Sequence, residues 1–87
     1  MVKEYKDGIT VVIPSIPPRA DRLQQALESV DNQTLHPYDI IVTYDTEKVG
    51  AAKNRDAGLF QVETKWTAFL DDEDILYPTH LEDLLKF

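Results

Sequence analysis

Three short apolar runs, each halted by a residue that ends a strand, are separated by stretches of helical spacing, and this alternation narrows the possible folds most. Ile9-Thr10-Val11-Val12-Ile13 stops at Pro14, Asp39-Ile40-Ile41-Val42-Thr43-Tyr44 stops at Asp45, and Trp66-Thr67-Ala68-Phe69-Leu70 stops at Asp71. Continuous β-branched runs of this kind suit strands covered on both faces. From Arg19 to Val30 the residues Leu23, Ala26, Leu27 and Val30 fall at i, i+3, i+4 and i+7, one helical stripe. Ala51 to about Gln61 reads as a second helix, with Ala51, Arg55, Gly58, Leu59 and Val62 expected on one side. Gly58 should weaken it by about 1 kcal/mol relative to Ala. Thr79-His80-Leu81-Glu82 has the spacing of a capping box and should open a third helix whose apolar face is Leu81, Leu84 and Leu85. The order βαβαβα with right-handed crossovers predicts an α/β, Rossmann-like half-domain around a small parallel sheet.

With 87 residues the chain forms one domain, 1–87, and no linker or internal repeat divides it. Sixteen acidic residues against nine basic ones give a net charge of -7, which argues against a general grip on nucleic acid or on an anionic membrane. The absence of cysteine excludes disulfides, thiolate catalysis, Cys-type zinc sites and iron–sulfur clusters. No apolar run reaches the roughly 18 residues of a membrane span, and Met1 to Gly8 is polar, so a soluble, cytoplasmic protein is expected.

In open parallel sheets, ligands bind beyond the carboxyl ends of the strands. Those ends are Pro14 to Pro18, Asp45 to Gly50 and Asp71 to Asp74, so the unusual segments share one edge. Asp71-Asp72-Glu73-Asp74 must be offset by solvent, a cation or a base, because four adjacent carboxylates repel one another. Strand alternation would place Asp71 and Glu73 on one face and Asp72 and Asp74 on the other. Paired carboxylates with phosphate oxygens suit Mg²⁺ or Mn²⁺. The competing reading is a solvated acidic loop. Arg19 and Arg22 either attract phosphate or pair with surface acids, and the second reading is preferred. His36 and His80 have no partner at metal-ligand spacing, and Trp66 reads as a packing residue. Lys53, near a helix start, is easier to explain beside an anion, although an ordinary solvated lysine fits equally.

The segments ITVVIPSIPPR (9–19), LESVDNQT (27–34), DIIVTYD (39–45), AAKNRDAG (51–58) and WTAFLDDEDILYP (66–78) resemble, in order and spacing, the N-terminal part of the family 2 inverting glycosyltransferases. The resemblance runs from about residue 8 to residue 87 and implies a GT-A fold. It implies that a nucleotide-diphosphate sugar is bound, with Pro14 and Ser15 against the base. Asp45 would accept a hydrogen bond from the base, which favours UDP through the imide N–H of uracil. Lys53 would lie near the diphosphate, and the family's Asp-x-Asp motif falls on Asp71-Asp72-Glu73. There Asp71 would face the ribose, and Glu73, with Asp71, would hold Mn²⁺ or Mg²⁺.

Three positions depart from the family pattern. Tyr44 stands where an Asp is common, Pro17 stands near a position usually polar, and Glu73 replaces the metal-ligating Asp. In the family the acceptor half and the catalytic base follow the acidic motif, so a truncated chain lacking both is expected, with no catalytic residue assigned. Sugar transfer would then require a second chain. The alternatives are a non-catalytic nucleotide-binding module and a structural module descended from a glycosyltransferase. An uncovered sheet edge should make the chain a homo-oligomer.

Overall fold

The computed structural model describes residues 4–16, 20–45, 48 and 50–86; the expectations for Pro17, Pro18, Arg19 and Thr46 fall outside them. Six elements follow the expected order: β1 (Lys6–Ser15), α1 (Ala20–Asp31), β2 (Asp39–Tyr44), α2 (Ala51–Phe60), β3 (Thr64–Phe69) and α3 (His80–Leu84). The strands form one parallel sheet in the order β2-β1-β3. The fold class is therefore α/β, as the alternation predicted. None of the described helices is long and apolar enough to cross a membrane.

β1 is longer than its apolar run at both ends. It begins at Lys6, whose N–H donates to Glu63 O at 2.8 Å, and Gly8 takes φ 114° where the pairing with β3 shifts register. It also passes through Pro14, which was expected to end it. Register explains this. The ladder to β2 runs on to Ser15↔Tyr44, whereas the ladder to β3 stops at Val12↔Phe69. Val12 O, which accepts Leu70 N–H at 3.0 Å, faces β3, and Pro14 has the same parity. The missing proline donor thus points to the side that β3 has already left.

Alternation along β1 divides the core. Ile9, Val11 and Ile13 are buried with Leu23, Ala26 and Val30 of α1 and with Leu70 and Leu81. Val12 lies on the opposite face with Ile41 and Val62. Helix α2 covers that opposite face through only some of the residues expected. Gly58, and Val62 just beyond the helix, are buried as expected and Asn54 is buried with them, while Ala51, Arg55 and Leu59 are exposed. A Cβ on Gly58 would collide with Val12 Cγ1 and lie 3.3 Å from Thr43 Cγ2. The glycine that reads as a helix weakness is what lets α2 approach the sheet.

The capping box is not formed. Thr79 Oγ1 donates to Asp83 Oδ2 at 3.1 Å, and the Glu82 carboxylate accepts from Thr34 Oγ1. The start of α3 is instead held by buried Gln33, two residues beyond the end of α1. Its Oε1 accepts Leu81 N–H at 3.0 Å, and its Nε2 donates to Ser29 O and to Tyr77 O. One amide therefore satisfies groups on three segments and fixes the chain that follows the acidic tetrad.

Candidate functional site

The carboxyl ends of β1 and β2 are clamped by α2. Asn54 Nδ2 donates to Ser15 O at 3.2 Å and to Thr43 O at 3.3 Å, and Thr43 Oγ1 donates to Asn54 O at 3.0 Å. Ser15 O also accepts Asp45 N–H at 3.0 Å. With Asn54 only 6% exposed, these contacts are shielded from water and hold Ser15, Asp45 and the start of α2 in a fixed relation. The side chain of Asp45 reinforces this, since Oδ2 accepts Gly50 N–H at 2.9 Å.

The acidic tetrad lies in a turn beyond β3, closed by Asp74 N–H donating to Asp71 O at 3.0 Å. Strand alternation therefore does not sort its side chains. Asp72 alone is buried, at 2% exposure, and accepts the Ser15 hydroxyl at 2.7 Å, while Asp71, Glu73 and Asp74 are exposed. This hydrogen bond ties the turn to the end of β1. Glu73 is held by Arg22 at 2.8 Å, so Arg22 pairs with a surface acid as preferred from sequence. Both partners are exposed, and such a pair contributes about 0–1 kcal/mol.

Pro14, Ser15, Asp45 and Asp71 line one cavity of about 210 Å³, together with Ile16, Ala51, Asn54, Arg55 and Asp72. Four of the six residues expected at the site are thus brought together. Lys53 is exposed and Glu73 faces Arg22, and neither belongs to this lining. A second cavity of about 650 Å³ adjoins the first through Arg55 and Asp71, and is also lined by Phe69, Asp74, Ile75, Tyr77 and His80. Sequence reasoning missed Arg55, and it gave no role at the site to Asn54, beside Lys53, or to Asp72, within the acidic motif. For Asn54 a signal existed: it stands four residues before Gly58, the spacing of one helical face.

The donor set suits a cation only in part. Among the described residues no group of three or more His, Asp or Glu side chains is placed to hold a metal ion. Mg²⁺ is commonly held by one or two carboxylates together with phosphate and water. Of the two carboxylates expected to hold it, Asp71 lines the cavity and Glu73 does not.

The model of the family described as glycosyl transferase family 2 matches residues 20–87, most of the chain. No curated protein and no solved structure gives a match.

Proposed function

The chain belongs to glycosyl transferase family 2, and from that premise we propose that it binds a nucleotide-diphosphate sugar, UDP-linked in preference to others, as the donor-binding part of a glycosyltransferase. The observation that carries this reading is the convergence of Pro14, Ser15, Asp45 and Asp71 on one cavity at the carboxyl edge of the sheet. At about 210 Å³ it is smaller than the roughly 300–1,000 Å³ of sites for whole drug-sized ligands, so it suits the base and part of the ribose. The diphosphate and sugar would extend into the larger neighbour. A carboxylate accepts hydrogen bonds and cannot donate them, so Asp45 suits a base whose ring edge offers N–H, as uracil and guanine do and cytosine and adenine do not. The small cavity favours the pyrimidine of that pair.

Asp71 and Glu73 would hold Mg²⁺ or Mn²⁺ jointly with the diphosphate. When bound, such a cation would offset the charge that develops on a departing nucleotide diphosphate. The protein groups do the rest: Asn54 fixes Ser15 and the α2 backbone, and the Ser15 hydroxyl holds Asp72 and the turn in place. No residue is assigned as the base that activates an acceptor. In this reading that base comes from a further part of the enzyme or from a second chain.

Calorimetric titration of UDP and CDP, each with Mn²⁺ and with EDTA, tests the assignment. UDP should bind about tenfold more tightly than CDP, whose ring N3 has no hydrogen to donate, and Asp45→Ala should erase that preference while circular dichroism stays unchanged. Equal affinity for the two nucleotides, or preference intact in Asp45→Ala, would refute the role of Asp45.

Self-association is proposed on a separate observation. Among the described residues β3 pairs only with β1 in the sheet, and Trp66, Phe69, Ile75 and Tyr77 on and after it are each about half exposed or more. An edge of this kind favours a partner strand. Light scattering should give a multiple of 10.0 kDa. A strictly monomeric mass at high concentration would contradict it.

A further inference from the structure

We propose that Arg55, rather than Lys53, is the cation that binds the phosphates of the ligand; this rests on the nucleotide reading above. Among the described residues, Arg55 is the only Lys or Arg in the lining of either cavity, and the two cavities share it. The other charged groups there are Asp45, Asp71, Asp72 and Asp74. In a protein of net charge -7, a phosphate entering that acidic groove needs a compensating cation, and an Arg fork offers paired N–H donors to phosphate oxygens.

Placement separates the two candidates. Arg55 follows Asn54, whose amide ties α2 to the ends of β1 and β2, so the base of the Arg55 side chain is fixed against the site. Among the described residues the Arg55 guanidinium has no ion-pair partner, although Asp71 lines the same two cavities. The unpaired cation and the exposed carboxylate thus flank the space where the cavities join. A diphosphate placed there meets Arg55 while Asp71 remains for a ribose hydroxyl or a cation. Lys53 lies outside both linings.

The test compares uridine with UDP, titrated in Mg²⁺ into the unaltered chain and into Arg55→Gln, Arg55→Lys and Lys53→Gln, with thermal melts as a check on folding. Arg55→Gln should weaken UDP about tenfold or more, as the loss of a charge-assisted hydrogen bond implies, and leave uridine within about twofold. Arg55→Lys should fall between, and Lys53→Gln should change UDP by less than about threefold. Added salt should weaken UDP less in Arg55→Gln than in the unaltered chain. UDP affinity indifferent to Arg55, a larger loss from Lys53→Gln, or an equal loss for uridine and UDP would overturn the assignment alone. Failure of the unaltered chain to bind either ligand would overturn the nucleotide reading and this inference with it.

Discussion

Asn54→Asp should lower the melting temperature by roughly 12–40 °C at pH 7, from a loss of about 3–5 kcal/mol and a response of about 4–8 °C per kcal/mol in a domain of this size. The substitution is nearly isosteric, so packing is preserved and the effect is chemical. The Asn54 amide donates to Ser15 O and Thr43 O at a position 6% exposed. A carboxylate there donates nothing, leaves two buried carbonyls without that donor, and sets a negative charge against them. The total stability of a chain this long is only about 4–13 kcal/mol, so the loss is a large share of it.

The dependence on pH has a definite sign. Burial against carbonyls raises the folded pKa of the introduced carboxyl above its unfolded value of about 3.9. Below about that value the group is neutral in both states and can donate one hydrogen bond, so the deficit is smallest. As pH rises towards the folded pKa, the unfolded state releases its proton first and stability is lost. Asn54→Ala, which carries no charge, should be destabilised to an extent that does not vary with pH. Thermal melts of both variants from about pH 4 to pH 7 would decide it, and parallel curves would show that the clamp does not work through its donors.

Gly58→Val should destabilise the fold by about 3 kcal/mol, a loss of roughly 12–24 °C. Any side chain at this position enters the space of Val12 Cγ1, and Val12 is fully buried with a stiff β-branched side chain. Thr43, the other neighbour, is bound to Asn54, so it cannot easily yield. If close approach is the cause, Val12→Ala should relieve part of the strain. The double variant should then be more stable than the sum of the single losses by about 1 kcal/mol or more. Strict additivity in melting or denaturant unfolding would refute this account of Gly58.

The contrast between these two residues and the rest of the chain shows what could be read without coordinates. β2 was expected at Asp39 to Tyr44 and is found there, because a strand beside a central partner reads directly as β-branched alternation. The α1 stripe is legible for the same reason: Leu23, Ala26 and Val30 are buried in the core. α2 was legible in extent but only partly in orientation, since Gly58 and Val62 of the expected face are buried and Ala51, Arg55 and Leu59 are not. A periodicity argument weighs apolar side chains, whereas this helix meets the sheet through an amide and a missing side chain. The capping box failed because Thr79 and Glu82 found Asp83 and Thr34, and Gln33 reached the helix from far along the chain. The acidic turn was located correctly, yet the burial of Asp72 depends on Ser15, 57 positions away, and no local pattern reports such a pairing.

Amide chemical-shift mapping of the nitrogen-15-labelled protein, titrated with UDP in Mg²⁺, tests the central claim most directly because it reports where a ligand sits. The account predicts saturable shifts at Ser15, Asp45, Asn54, Arg55, Asp71 and Asp72, along the carboxyl edge of the sheet. A folded spectrum that does not change, or shifts confined to the opposite edge around Asp39 and Glu63, would contradict it.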